Sequence, residues 1–91
     1  VNLSRTLADL KDKGLWIIGA SGEGGETISG FDWKRNVVLV VGHEQRGLSR
    51  TVKAACDSVV RIPRSGNVES LNVAVASGVI LWEINRQRSV D

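Results

Sequence analysis

Val59-Val60-Arg61-Ile62-Pro63-Arg64-Ser65-Gly66-Asn67-Val68-Glu69-Ser70-Leu71-Asn72-Val73 carries the chain from a short apolar run, through a polar turn, into an apolar segment. Val59, Val60 and Ile62 predict a β-strand. Pro63 stops it, because a proline cannot donate to a sheet ladder and biases the residue before it toward extended geometry. Gly66 gives the turn a residue free to take positive φ. Ser70 can cap a helix, which would leave the N–H groups of Leu71, Asn72 and Val73 pointing out of the helix start without intrahelical partners. Such an end attracts electron-rich ligand atoms.

Downstream, the spacing predicts a helix from Leu71 to about Arg86. It is apolar nearly all round from Val73 to Trp82 and is therefore expected to be the buried element of the structure. Its small residues Ala74, Ala76, Ser77 and Gly78 would let another backbone approach. Upstream, Val37 to Val41 is an unbroken apolar run with four valines, expected of a strand covered on both faces of a parallel sheet. Gly42-His43-Glu44-Gln45-Arg46-Gly47 is the loop at its carboxyl end, and Ser49 can cap a short helix over Arg50 to Cys56. Leu15 to Ile18 reads as a buried strand bounded by Gly19. Ala20 to Gly30 reads as loop, with Phe31 and Trp33 tucking the connection against the core. Leu3, Leu7 and Leu10 mark an opening helix capped by Asn2 or Ser4 and closed by Gly14. The alternation gives an α/β fold with at least three parallel strands. Ligands in such sheets bind outside the carboxyl ends of the strands, which here are the loops Gly42–Gly47 and Pro63–Ser70.

Ninety-one residues at 42% apolar composition make one small domain with a modest core. A net charge of +2 is compatible with a nucleic-acid partner without pointing to one. Cys56 is the only cysteine, so an internal disulfide and a multi-cysteine metal site are excluded, and a reducing, cytoplasmic compartment is expected. No apolar run reaches the roughly 18 to 20 residues that span a bilayer. The sequence contains no methionine, even at its first position, and is expected to be a fragment.

From spacing alone Glu44 is either an exposed loop carboxylate or a catalytic one, Ser70 a cap, and Asn72 a polar first-turn residue or a substrate contact. His43, Ser49 and Asp57 could be assembled on paper into a hydrolase triad, but a triad is defined by geometry and roles, and only composition supports this one. The Gly22-Glu23-Gly24-Gly25-Glu26 run lacks the Lys-Ser/Thr of a P-loop, and its glutamates would repel phosphate. Trp16, Trp33 and Trp82 are expected as core or interface anchors. Arg61, Arg64, Arg86 and Arg88 could form an RNA face, while Arg86 and Arg88 are equally explained as partners of a helix dipole. Cys56 is read as a small packing residue.

Two of these loops carry a family resemblance. Val37-Val38-Leu39-Val40-Val41-Gly42-His43-Glu44-Gln45-Arg46-Gly47-Leu48-Ser49 resembles the second motif of the SpoU (TrmH-like) 2'-O-ribose RNA methyltransferases of the SPOUT class. Ile62 to Ala76 resembles their third. Asn2 to Leu7 and Leu15 to Gly19 look like the segment preceding those motifs in the branch that methylates guanosine ribose in large-subunit ribosomal RNA, so the likeness spans essentially the whole sequence. It implies a trefoil-knotted α/β domain, of which residues 1–91 would be the carboxyl-terminal portion, working as a homodimer on RNA with S-adenosylmethionine and no metal. By the same resemblance Gly42, Ile62 and Leu71 contact the cofactor largely through backbone atoms, and Glu44, Ser70 and Asn72 shape the catalytic pocket and hold the ribose.

The family's first motif, with an asparagine and the arginine that activates the ribose hydroxyl, has no counterpart in these residues. Arg5 is not that arginine by local context, so little catalysis is expected of the piece alone. His43, Gln45, Arg46 and Arg64 depart from the usual loop residues. Three readings follow: a ribose methyltransferase, a cofactor-, RNA- or dimer-forming module of the same fold without chemistry, and an unrelated α/β nucleotide-binding domain.

Overall fold

In the computed structural model, residues 2–22, 24–42, 47–63 and 72–89 are described. Helix α1 (Leu3–Asp12) starts at Asn2, whose side chain accepts from the Arg5 N–H at 3.1 Å. It ends at Gly14, where φ of +88° turns the chain back toward the sheet. Strand β1 (Trp16–Ser21) follows, then β2 (Glu26–Thr27), β3 (Val37–Val41), α2 (Arg50–Ala55), β4 (Ser58–Arg61) and α3 (Val73–Arg88). Ser49 caps α2, its hydroxyl accepting from the Val52 N–H at 3.2 Å.

The four strands form one parallel sheet in the order β2-β4-β1-β3. Because side chains alternate along a strand, Ile18 and Ala20 of β1, Val37 and Leu39 of β3, and Val60 of β4 share one face. There they meet Ile28, Phe31, Trp33, Ile80 and Ile84, with Ile62 packed alongside. Gly19 faces the other way, toward Leu48 and the end of α2. The layers are therefore α3 with the 28–36 connection, the sheet, and α1 with α2.

Three departures from the sequence reading concern strands. β1 runs on through Gly19 to Ser21, since Gly19 pairs with Val40 on one side and Val59 on the other. β2 lies inside the stretch read as loop. Gly25 makes it possible: at φ +74°, a Cβ on this residue would sit 2.2 Å from the Val59 carbonyl oxygen, so only glycine lets the chain come close enough to pair with β4. β3 has strand geometry as expected but lies at the sheet edge, half-buried along its length among the described residues.

α3 is the main correction. It buries Ile80, Glu83 and Ile84, whereas Val75, Val79, Leu81 and Trp82 are exposed, Trp82 at 65%. A helix lying on one face of a sheet can bury only one stripe, however apolar its other sides are. Glu83 is tolerated in that stripe because its carboxylate accepts from Arg86 Nε and Nη2 at 2.8 Å and from Gln87 Nε2 at 2.7 Å. Those hydrogen bonds hold its pKa down at about 2.

The last turn of α3 then fastens the 28–36 connection. The Trp33 N–H donates to Gln87 Oε1, Gln87 Nε2 also donates to the Phe31 carbonyl, and Arg88 donates to the carbonyls of Trp33 and Arg35. Of the candidates for an RNA face, Arg88 is thus engaged in holding α3 to its neighbours, while Arg86 pairs within the helix with Glu83.

Candidate cofactor and substrate site

All four strands point the same way, so their carboxyl ends lie along one edge of the sheet. β1 is flanked by β3 and β4, so Gly42 and Ile62, the residues after those strands, stand on either side of the end of β1. Two inter-strand spacings separate them, about 10 Å. Ile62 is half-buried against the core, and the neighbouring Ile28 N–H donates to the Arg61 carbonyl at 3.0 Å, which fixes the end of β4.

Gly42, the residue after β3, lies tightly against the backbone of Gly47 and Leu48. A Cβ on Gly42 would lie 2.3 Å from the Gly47 carbonyl carbon and 2.6 Å from both the Gly47 oxygen and the Leu48 nitrogen. The sequence reading assigned this glycine to close approach by a cofactor. The structure gives a different reason for it: the two arms of the loop touch at Gly42, and the space a side chain would need is taken by backbone. Gly47 makes the return at φ +67°.

α3 brings the third component. Its 16 residues span about 24 Å. Its carboxyl end is tied to residues 31–35, just before the start of β3, so the helix runs back across the sheet and its N-terminus lies toward the carboxyl edge. The cap is Asn72, whereas the sequence reading placed it at Ser70 with the helix beginning at Leu71. Asn72 Oδ1 accepts from the Ala74 N–H at 2.7 Å, and its carbonyl accepts from the Ala76 N–H at 2.8 Å. The exposed Asn72 side chain uses its oxygen in the cap, which leaves Nδ2 as the atom through which it could donate to a ligand.

Gly42, Ile62 and Asn72 therefore converge on one edge. Glu44, Ser70 and Leu71 lie outside the described residues, as do His43, Gln45, Arg46 and Arg64. The triad sketched around His43 fails on its other members. The Ser49 hydroxyl is spent on the α2 cap, and Asp57 accepts from the Ile17 N–H at 2.8 Å while pairing with Lys11. Cys56 packs as expected: its thiol donates to the Val52 carbonyl, and burial pushes its pKa up, away from a reactive thiolate.

No group of acidic, His or Cys side chains able to hold a metal is found among the described residues. An open cavity of about 450 Å³ lies beside Phe31, Asp32, Lys34, Arg86 and Gln87, at the far end of α3 from Asn72. Its charged residues are already engaged in part, Arg86 with Glu83, Asp32 with Arg35.

A parallel sheet with a helix N-terminus toward the carboxyl edge of its strands defines an α/β domain of the class in which ligands bind outside that edge. The model of the SpoU rRNA Methylase family matches residues 1–82, and the chain belongs to that family. It is 48% identical over 89 residues to a 23S rRNA (guanosine-2'-O-)-methyltransferase RlmB of Ralstonia nicotianae, covering 98% of this chain and 36% of that protein. An uncharacterized tRNA/rRNA methyltransferase of Mycobacterium avium is 52% identical over 87 residues, covering 96% of this chain and 28% of the relative.

Among solved structures, the A. aeolicus TrmH/SpoU tRNA modifying enzyme superposes with a TM-score of 0.87 at 35% identity, covering 96% of this chain and 45% of that one. AviRb from Streptomyces viridochromogenes, in complex with the cofactor AdoMet, gives 0.82 at 32%, covering 94% and 35%. The chain thus spans roughly a third of the length of these curated relatives.

Proposed function

We propose that the full-length protein methylates the 2'-hydroxyl of a ribose in structured RNA, ribosomal rather than transfer RNA, using S-adenosylmethionine. The observation that carries this is the meeting of Gly42, Ile62 and the Asn72-capped helix start at one sheet edge, in a chain with 48% identity to a 23S rRNA guanosine methyltransferase. The donor set suits the cofactor: backbone groups at Gly42 and Ile62 just beyond β3 and β4, a half-buried aliphatic side chain at Ile62, and the N-terminal end of a helix.

Bound there, S-adenosylmethionine supplies an electrophilic methyl on a positively charged sulfur. Gly42, Ile62 and Leu71 would hold the cofactor through backbone atoms, and Glu44, Ser70 and Asn72 would orient the ribose. A ribose hydroxyl is a weak nucleophile, so these residues serve chiefly to align its oxygen with the methyl carbon and the departing sulfur, and to help remove its proton.

Calorimetric titration of the full-length protein with S-adenosylmethionine, and separately with ATP, tests the reading. Uptake of the methyl donor is expected; heat from ATP alone would overturn the proposal in favour of a general nucleotide-binding domain. In the same protein Asn72→Ala should lower methyl transfer at least about tenfold, while loss of the cap costs the fold only about 1 kcal/mol. Turnover at the normal rate in this variant would remove Asn72 from the site.

The same reading makes residues 1–91 the carboxyl-terminal portion of a SpoU methyltransferase domain acting in the cytoplasm. No helix among the described residues is long and apolar enough to cross a membrane. A trefoil knot is supported by the position of β4, the last strand, between β2 and β1, the first two. A homodimer is supported by Val75, Val79 and Trp82, exposed at i, i+4 and i+7 on one side of α3, an arrangement unfavourable in water unless covered. Sedimentation of the full-length protein as a monomer at high concentration would contradict the dimer.

A further inference from the structure

We propose that strand β2 is a strap that holds Ile62 in place for S-adenosylmethionine, with Gly25 as the positioning residue that lets the strap attach to β4. The inference rests on the functional reading above, in which Ile62 meets the cofactor through backbone atoms. Gly25 stands at φ +74°, and a Cβ there would lie 2.2 Å from the Val59 carbonyl oxygen and 2.8 Å from the Val59 carbonyl carbon. Both are backbone atoms of an interior strand. Val59 is paired with Gly19 of β1, and Val60 beside it is fully buried, so β4 cannot retreat. A side chain at position 25 therefore displaces Gly25 itself and the strand it leads into.

That strand grips the end of β4. Glu26 pairs with Val60 and Thr27 with Arg61, and the Ile28 N–H donates at 3.0 Å to the carbonyl of Arg61, the residue directly before Ile62. On its other side β4 pairs with β1 as far as Arg61, opposite Ser21. The carboxyl end of β4 is thus held from two sides, and β2 supplies one of them. Beyond β2 the strap is anchored again, since Ile28 is buried in the core and its carbonyl accepts from Trp33 Nε1 at 2.8 Å. With only two residues at the sheet edge, β2 is the strand that can open locally while the rest of the sheet stays formed.

The test measures S-adenosylmethionine affinity by calorimetry and backbone amide exchange by NMR in the full-length protein, well below every variant's melting temperature. Gly25→Ala should weaken binding about tenfold. Its Ile28 amide should also exchange about tenfold faster relative to that of Trp16, which donates to the Asn36 carbonyl at the amino edge of the sheet. Gly24→Ala meets the same left-handed strain, at φ +78°, but nothing lies within 4 Å of its Cβ, so affinity and Ile28 exchange should both stay within about twofold of wild type. Leu7→Ala, a buried truncation in α1, is the destabilised control and should leave affinity unchanged. Coupling between sites is reciprocal, so in the wild-type protein saturating S-adenosylmethionine should slow Ile28 exchange about tenfold more than that of Trp16.

Wild-type affinity in Gly25→Ala overturns the proposal, as does an equal loss in either control or an Ile28 amide that stays protected while affinity falls. If Gly25→Ala does not fold, the wild-type measurement decides alone: an Ile28 amide indifferent to the cofactor overturns the strap. Wild-type protein that takes up no S-adenosylmethionine removes the functional reading and this inference with it, whereas the other results remove the inference alone.

Discussion

Gly42→Val is expected to reduce S-adenosylmethionine affinity of the full-length protein by at least about a hundredfold, and Gly42→Ala by nearly as much, because the conflict begins at Cβ. The three atoms a Cβ would meet, at 2.3 to 2.6 Å, all belong to the backbone of Gly47 and Leu48. A flexible side chain can rotate out of such a contact; backbone cannot, so the loop must open. Opening separates Gly47 and Leu48 from Gly42, beside the proposed cofactor site.

Gly47 provides the contrast. It sits at φ +67° with nothing within 4 Å of a Cβ, so Gly47→Ala meets conformational strain of about 1 kcal/mol and no collision. It should keep affinity within about tenfold of wild type. Two glycines in one loop are therefore expected to differ by an order of magnitude or more, for reasons that titration of both variants can separate. Undiminished binding in Gly42→Val would show that loop closure is not needed to hold the cofactor.

That contrast also marks how far the sequence could be read. The β-branched runs of β3 and β4 and the Ser49 and Asn2 caps are local signals, and each appears where its residues predict it. With them came the parallel sheet and the placement of Gly42 and Ile62 at its carboxyl edge. Strand β2 was not legible, since Glu26 and Thr27 carry no apolar pattern and pair only because Gly25 admits the Val59 carbonyl, a contact between residues far apart in sequence. The start of α3 was displaced by two residues because Ser70 and Asn72 are both good caps and composition cannot choose between them.

The burial of α3 was overestimated because an apolar surface all round states what a helix could bury, while the sheet beneath decides what it does bury. Gly19 carried a readable signal, a glycine inside an apolar strand, but was taken as the strand's boundary.

The three tryptophans show the same limit most sharply, and they support the largest stability prediction. All were expected to anchor a core or an interface, and composition could not say which does which: Trp33 is fully buried in the core, whereas Trp16 is 42% exposed and Trp82 65% exposed. Trp33 differs because both its polar groups and its ring are provided for. Its Nε1–H donates to the Ile28 carbonyl at 2.8 Å, its ring meets Phe31 edge-on at 4.7 Å, and its own N–H and carbonyl are held by Gln87 and Arg88.

Trp33→Ala should therefore cost about 3 to 5 kcal/mol through the cavity alone, and more because the buried Ile28 carbonyl loses its donor. Against the roughly 5 to 15 kcal/mol that holds a domain together, such a loss brings the domain close to unfolding and should lower its melting temperature by tens of degrees. Trp33→Phe, which keeps most of the ring volume and loses the hydrogen bond, should fall between. Trp16→Ala gives up an exposed stacking contact with Arg35, 4.4 Å from the ring centroid, worth about 0.5 to 1 kcal/mol, and should melt within a few degrees of wild type. Thermal melts of the three variants decide it: a Trp33→Ala protein as stable as Trp16→Ala would mean that the 28–36 connection does not carry the core, and that α3 is held over the sheet by something other than this clasp.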